Sequence, residues 1–477
     1  MGIISPFDLP ELCQSIACFM RKVDFARCTL VCRQWHATFT PFLWQDINLD
    51  FSGGQVLPAL NALIKHSKFV RRMVVFNHQG AYLSPMYMNL KELAIAGSYC
   101  LPAEVVSLKP SLTTLMLTSC IFENPTSFWD AVLELQHLRH LSMVRVDVAQ
   151  ENIQSFWDVC SRLETLRLTR MRLPCVPDKS LVFPRTKSLS IFYLQNLTPE
   201  ACLAWFRQHP NLEELAWKGM APVVRPDTLS SSIVKETWPR LEVLDLAYTG
   251  ISDRVLSEIL HGLRRVRTLL ATGTGFSELS IDALRPHLPD LQELDIPKYE
   301  RPQGNLTSKL MLDVLASSPH LVAVSGCHVY VEHMVHDQRP WVCGKSLKTL
   351  RLCFEFPKEY ILDLHSNIFA RLSMLTCLEV LDVSSYTKLW HGTISGLDLR
   401  LSKGLAQLHT LTGLRSVGFR HIWQEIEQED LQWMVDHWNK IESFDGHFNG
   451  DMHTNRLLRA MIDGALERTL RKVGITA

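Results

Sequence analysis

The 477-residue sequence has no excess of charge of either sign. Lysine and arginine together number 49, and so do aspartate and glutamate. Nucleic-acid-binding domains usually carry a basic excess, so this balance disfavours that class and we expect no nucleic-acid partner. Apolar residues make up 47% of the chain, which is too much for an intrinsically disordered protein and enough for a large core.

A long hydrophobic run is also missing. No apolar stretch approaches the ~20 residues that a membrane-spanning helix needs. Asp8 and Glu11 stand where a secretory signal would carry basic charge and then an apolar stretch. Pro6 breaks the myristoylation pattern that Gly2 begins. We therefore expect no membrane partner and an intracellular protein, in the cytoplasm, the nucleus or both.

The thirteen cysteines include no C-x-x-C pair. Their odd number and scattered positions are typical of reduced thiols that pack as small apolar side chains. Metal-capable residues do concentrate between Cys327 and Cys343, but their spacings match no zinc module. We therefore expect no metal there, and we interpret this segment as a surface loop.

Catalytic motifs are absent as well. Gly344-Lys345-Ser346 resembles the end of a phosphate-binding loop, but Arg339 stands where the first glycine would be required. No combination of nucleophile, base and acid can be argued from the sequence. We therefore expect a protein that is not an enzyme and has no cofactor, with a catalytic site hidden in the repeats described next as the weakest alternative.

An apolar-x-x-apolar-x-apolar pattern recurs through most of the chain. The clearest copy is Leu-Glu-Val-Leu-Asp-Leu at residues 241–246. Candidate copies start between Val70 and Ile441 at a mean spacing of about 26 residues, within the range of leucine-rich repeats. The x-Leu-x-Leu part predicts a short strand, and the second half of each unit has helical spacing, as after the cap residue Ser252.

These repeats predict the fold class. We expect an α/β leucine-rich-repeat solenoid over residues 66–450, with a curved parallel sheet on its concave side and helices outside. An ordinary α/β domain is the alternative. Residues 451–477 lack the strand pattern, and their apolar residues recur at helical spacing. They predict a C-terminal capping helix, with a membrane-surface helix as the alternative.

Residues 5–47 predict a separate, all-helical module. Pro10 suits the first turn of a helix, and Asp24 begins a second helix. A unit this small is short of core by itself, so its large apolar residues indicate packing on a partner, on the repeats, or on both. The apolar stripes are Leu12, Ile16 and Phe19 on the first helix, Phe25, Cys28 and Leu30 on the second, and Val31, Trp35 and Phe39 on the third.

This module resembles an F-box, and the whole chain resembles the F-box and leucine-rich-repeat protein family. The likeness is close over residues 5–47 and generic over the repeats. In many F-boxes an extra residue follows the proline, whereas Glu11 follows Pro10 directly here. The matching positions are Leu9-Pro10, Ile16, Asp24, Leu30-Val31-Cys32, Trp35 and Leu43-Trp44.

The resemblance implies the substrate receptor of a Skp–cullin–F-box ubiquitin ligase. The F-box would dock on a Skp-type adaptor and, through it, a cullin, while the repeats hold an unknown protein substrate for ubiquitination and degradation. Catalysis would belong to other subunits. A leucine-rich-repeat scaffold without a ligase role is the alternative. The adaptor-binding residues that the resemblance implies are Leu9, Pro10, Leu12, Ile16, Leu30, Val31 and Trp35.

A candidate substrate surface follows from the strand pattern. In each strand the residue between the last two apolar positions should point to the concave face. Asp245, Asp295 and Asp382 share this position, so we expect a solvent-facing acidic track that suits a basic or extended partner segment; a solvated face without a ligand is the alternative. The candidate substrate-binding residues are Arg167, Glu214, Lys218, Asp245, Glu293, Asp295, Arg351, Asp382 and Arg420.

Overall fold

The computed structural model divides the chain into two compact units, Met1–Leu212 and Glu213–Ala477. Leu9 and the predicted capping helix of residues 451–477 lie outside the residues that the structure describes. Those residues are 10–17, 19–51, 57–77, 82–83, 86–97, 99–219, 238–297, 304–356, 364–384, 396–422 and 424–446.

Three helices form the N-terminal module, as the sequence predicts, but Leu30 and Val31 lie in the turn between the second and third helices and not on them. Helix α1 is Pro10–Ala17, α2 is Lys22–Cys28 and α3 is Arg33–Gln45. The second helix begins two residues before Asp24, because Asp24 caps it from its first turn and accepts a hydrogen bond from the backbone N–H of Arg21 at 3.2 Å. The small core of the module contains Ala17, Phe25 and Phe39.

The sheet of the first unit begins where α3 ends. Strand β1 contains Ile47 and Leu49, which alternate with more exposed residues and are both buried. The sheet therefore starts one strand before the first predicted repeat. Its parallel strands follow one another in chain order: β1 Asp46–Asp50, β2 Arg72–Phe76, β3 Glu92–Ala96, β5 Thr114–Thr118, β7 His140–Val144, β8 Thr165–Thr169 and β9 Ser188–Phe192. Strands β4 (Tyr99–Leu101) and β6 (Ile121–Phe122) form a separate parallel pair.

The connections between these strands carry helices whose aromatic residues pack on one another. Trp129 lies 5.2 Å from Phe156, and Trp157 lies 5.0 Å from Trp205, measured between ring centroids. All four rings are buried, so successive repeats share one core. The helices are α4 Leu60–His66, α5 Glu104–Ser107, α6 Pro125–Leu133, α7 Ile153–Cys160 and α8 Pro199–Phe206.

The second unit repeats the same architecture. In the clearest copy of the pattern, Leu241, Leu244 and Leu246 are all buried, as the period-two interpretation predicts. The parallel strands are β10 Glu214–Lys218, β11 Val243–Asp245, β12 Thr268–Leu270, β13 Glu293–Asp295, β14 Ala323–Tyr330, β15 Thr349–Glu355, β16 Val380–Asp382, β17 Ser416–Gly418 and β18 Ser443–Asp445.

Helices again connect these strands, and both units have the predicted leucine-rich-repeat fold. The segment from Cys327 to Cys343 is not a surface loop: it contains the end of β14 and helix α12, because the apolar Val329, Val331 and Met334 are buried. The helices are α9 Asp253–Gly262, α10 Glu278–Leu284, α11 Gly304–Ser317, α12 Val331–His336, α13 Leu364–Leu372 and α14 Gln428–His437.

Candidate functional site

The N-terminal module leaves an unusual amount of apolar surface exposed. Phe19 is 90% exposed and Leu30 is 85% exposed, because the core of the module is filled by other residues. Large apolar side chains in such numbers on so small a unit are typical of a protein-binding surface. We call this set the exposed apolar set; its members are Leu12, Ile16, Phe19, Val23, Leu30 and Val31.

Four of the seven predicted adaptor residues belong to this set. Pro10 begins α1, and Leu9 lies outside the described residues. Trp35 differs, because it is half-buried and its ring packs edge-on against Phe39 at 5.7 Å. Phe19 and Val23 are additional members. Phe19 lies on the apolar stripe seen in the sequence, whereas nothing in the sequence pattern singles out Val23.

Specific contacts attach the module to the repeats that follow it. Lys22 Nζ donates a hydrogen bond to the backbone oxygen of Asp46 at 2.5 Å, at the start of β1. Burial lowers the pKa of Lys22. The ring of Trp44 stacks on His66, the last residue of α4 in the first repeat connection, at 4.8 Å. The module and the first repeats are thus packed against each other.

The open face of the sheet is the second candidate site. In the first unit, Met116, Ser142, Arg167 and Ser190 align across adjacent strands. In the second unit one register row runs through the predicted positions, which confirms their alignment. That row is Ala216, Asp245, Leu270, Asp295, Ser325, Arg351, Asp382, Gly418 and Asp445.

The acidic residues of that row are not the solvent-facing track that the sequence predicts. Asp245 is only 6% exposed: it forms an ion pair with Lys218, and its Oδ1 accepts a hydrogen bond from the backbone N–H of Ala247 at 3.2 Å. Asp382 is partly buried and accepts from the backbone N–H of Ser384 at 3.0 Å. The chain turns directly after each strand, which brings backbone donors onto these carboxylates and covers them.

Charges of both signs meet around β13. Glu293 is exposed, and its pKa is raised by partial burial and by the nearby carboxylates of Asp295 and Asp245, against the opposing effect of Arg351 and Lys218. Asp295 is partly buried, and its Oδ1 has no hydrogen-bond partner among the described residues. This mixed cluster fits a polar partner surface better than an apolar one.

The remaining predicted substrate residues are exposed. Glu214 begins β10, and Arg351 lies in β15. Arg420 is placed beside β18 by an ion pair between its Nε and Asp445 Oδ1 at 2.5 Å. Arg167 lies in β8, in the other unit. The structure therefore brings Lys218, Asp245, Glu293, Asp295 and Arg351 together and leaves Arg167 in a different charge environment.

A cavity of about 330 Å³ lies among the helices of the second unit. Asp313 accepts from Arg285 at 2.5 Å and from Arg339 at 2.8 Å, and Arg339 also binds Asp337 at 2.7 Å. These paired charges join α11 to the segments around it, so the cavity wall is a structural ion-pair network.

Among the residues that the structure describes, no group of three or more histidine, cysteine, aspartate or glutamate side chains could hold a metal ion. None of the described helices is long and apolar enough to cross a membrane.

Comparison with known proteins supports the family resemblance. Residues 84–259 match the family model described as FBD-associated F-box protein At5g56370, LRR repeats. The likeness to F-box proteins with leucine-rich repeats is thus confirmed in the repeat region. No curated protein matches the chain.

Three solved structures with low sequence identity are similar to parts of this chain. An LRR protein of Leptospira interrogans, LIC12759, is 13% identical with a TM-score of 0.39, covering 82% of this chain and 100% of its own. A chain of the yeast Rad7 and Elc1 complex is 14% identical with a TM-score of 0.41, covering 75% and 86%. A chain of the TLR13–ssRNA13 complex is 14% identical with a TM-score of 0.36, covering 86% and 62%.

Proposed function

We propose that this chain, which resembles F-box proteins with leucine-rich repeats, is the substrate receptor of a Skp–cullin–F-box ubiquitin ligase. The N-terminal module docks on a Skp-type adaptor, and the repeats hold a protein substrate for ubiquitination. The observation that carries this proposal is the exposed apolar set, which lies on a helical module packed directly onto a repeat array.

Binding the adaptor and the substrate at separate places has a physical basis. A receptor that binds the adaptor at one place and the substrate at another raises the effective concentration of substrate lysines near the activated ubiquitin. It needs no catalytic residues of its own, and the leucine-rich-repeat fold typically serves binding. The exposed residues Arg167, Glu214, Glu293, Arg351 and Arg420 are the candidates for substrate contact.

The test is co-purification of the full chain with a Skp-type adaptor and a cullin. Replacing Leu30, which is 85% exposed, with aspartate places a charge in the docking surface without disturbing the core. A buried interface anchor costs at least ~2 kcal/mol when it is removed, so we expect the adaptor to be lost from the Leu30→Asp variant. The matched control is Ile121→Asp, an exposed apolar residue of β6, which should retain the adaptor.

Loss of both adaptor and cullin from Leu30→Asp alone supports the receptor. Retention of the adaptor by a combined Phe19→Asp and Leu30→Asp variant would show that the exposed apolar set is not the docking surface. Capture of the adaptor without a cullin by the unmodified chain would favour the second candidate, a leucine-rich-repeat scaffold without a ligase role.

A further inference from the structure

The residue that follows a strand has a left-handed backbone at six strands of the first unit, β2, β3, β5, β7, β8 and β9. Asn77, Gly97 and Ser119 follow β2, β3 and β5 with φ of 53°, 68° and 50°. Each donates its backbone N–H to the last residue of the next strand, at 2.8, 2.9 and 2.8 Å. Glycine and asparagine adopt this conformation most easily, so small residues suit the position.

At the next two strands the same position is arginine. Arg145 and Arg170 follow β7 and β8 with φ of 54° and 52°, and Tyr193 follows β9 with φ of 51°. The same backbone hydrogen bonds, 2.9 Å from Arg145 to Thr169 and 2.7 Å from Arg170 to Phe192, keep the three in one row. Long side chains therefore occupy a position where the backbone favours glycine.

The electrostatics of this row are unfavourable in the isolated chain. Neighbouring strands lie ~4.8 Å apart, and like charges opposite each other on adjacent strands are destabilising. Arg167, three residues before Arg170, adds a third exposed positive charge. Within the described residues none of the three arginines forms an ion pair. The guanidinium of Arg170 lies 6.0 Å over the ring of Tyr193, which is itself exposed.

We propose that Arg145, Arg167, Arg170 and Tyr193 form a docking surface, the arginine row, for an acidic segment of a partner protein. Guanidinium groups bind carboxylates through paired, charge-assisted hydrogen bonds, and carboxylates relieve the repulsion within the row. Tyr193 supplies a ring beside the charged groups. A nucleic acid fits less well, because its binding depends on many Lys and Arg contacts to phosphates and the chain has no net positive charge.

This inference rests on the proposed receptor function and specifies its substrate as a protein with an acidic segment. Peptide binding to the arginine row does not require the adaptor. A chain that acted only as a scaffold would keep it. The arginine row also differs from the acidic track predicted for the second unit. The acidic track would suit a basic segment, whereas the arginine row binds an acidic one.

The test measures binding of a fluorescent peptide of alternating glutamate and glycine to the full chain, without adaptor. We expect the combined Arg145→Gln and Arg170→Gln variant to bind at least about tenfold more weakly, and binding to weaken as salt rises. The matched control is Arg185→Gln with Lys187→Gln, two exposed cations at the amino end of β9, which changes the net charge equally and should bind as the unmodified chain does.

A second variant separates binding from folding. Arg145→Gly suits the left-handed backbone better than arginine, so it should melt at an equal or higher temperature and still lose peptide affinity. Equal affinity for the peptide in the double glutamine variant, or equal binding of a glutamine-glycine peptide, would overturn the proposal. Tighter binding of single-stranded DNA than of the glutamate peptide would overturn it in favour of a nucleic-acid surface. None of these outcomes depends on whether the adaptor binds.

Discussion

Lys218 and Asp245 are predicted substrate-binding residues that the structure pairs with each other. The sequence places both on the substrate surface, whereas the structure joins them in an ion pair in which Asp245 is nearly inaccessible. A buried carboxylate is costly unless it is paired. We therefore assign the pair to stability and not to substrate contact.

Removing one partner of this pair should destabilise the protein. Lys218→Met leaves Asp245 buried without its counter-ion, so we expect the free energy of unfolding to fall by about 3 kcal/mol. Adding Asp245→Leu should restore part of that loss, because no unpaired charge remains. Urea titration of the two single variants and the double variant measures the coupling. If the losses of the single variants simply add, the pair does not stabilise the fold.

His209 links the stability of the first unit to acid pH. Its ring stacks on Phe183 at 4.4 Å, and its Nδ1 lies 3.2 Å from the backbone oxygen of Trp205. Burial lowers the pKa of His209 to about 4. Since the unfolded chain then binds more protons than the folded chain between pH 6.5 and 4, stability is lost as the pH falls through this window.

The variant His209→Phe tests this linkage, because phenylalanine can keep the stacking and cannot titrate. The difference in unfolding free energy between the unmodified chain and the variant should shift by about 3 kcal/mol between pH 7 and pH 4, in favour of the variant at acid pH. Denaturation curves at several pH values measure it. A difference that stays constant with pH would show that His209 is protonated equally in both states.

At the scale of elements, two of the repeat helices in the first unit, α6 and α8, begin at a side-chain cap. The side chain of Asn124 accepts a hydrogen bond from the backbone N–H of Ser127 at 3.1 Å, and Thr198 does the same for Ala201 at 3.2 Å. Proline follows each cap, at Pro125 and Pro199. Ser252 occupies the cap position of α9 that the sequence predicts, but its side chain makes no capping hydrogen bond.

This difference gives a prediction at the level of one helix. Asn124→Ala should lower the free energy of unfolding by about 1 kcal/mol, since one backbone donor of α6 loses its partner. Ser252→Ala, the matched control at α9, should cost clearly less because no such bond is removed. Parallel urea titrations compare the two. Equal losses at both sites would mean that the cap hydrogen bond is not the source of the stabilisation.

At the scale of the whole molecule, the exposed apolar set and the arginine row are separate surfaces of the first unit. Four strand spacings separate β1, next to the helical module, from β7, which is about 19 Å at ~4.8 Å per strand. Residues this far apart with no shared partner usually act independently. A receptor with such an arrangement can engage adaptor and partner segment at the same time.

We therefore expect the two surfaces to be separable by mutation. Leu30→Asp should lose the adaptor and keep full affinity for the glutamate-glycine peptide, whereas Arg145→Gln with Arg170→Gln should show the reverse. The variant carrying all three changes should show both losses, each unchanged in size. Adaptor pull-down and peptide titration on the same preparations measure this. Weakened adaptor binding in the arginine variant would place the arginine row inside the adaptor contact.

The sequence by itself determined the repeat fold and the helical module. Buried residues such as Leu141 and Met143 alternate with more exposed ones inside a strand such as β7, and this local period decides which face is buried. The same period aligned the outward row correctly across the strands. The sequence also predicted Leu30 and Val31 as binding residues, because they belong to a short motif of neighbouring residues that needs no tertiary contact to be seen.

Only the tertiary structure decided which residues of different repeats meet. Lys218 reaches Asp245 across a repeat and β1 pairs with β2, because each contact depends on how loops of unequal length return the chain to the sheet. The arginine row arises in the same way: Arg145, Arg170 and Tyr193 come from three repeats of different length and share no motif. The spacing of residues along a strand determines which face of the sheet a side chain lies on. The register between strands determines which side chains of other repeats it contacts.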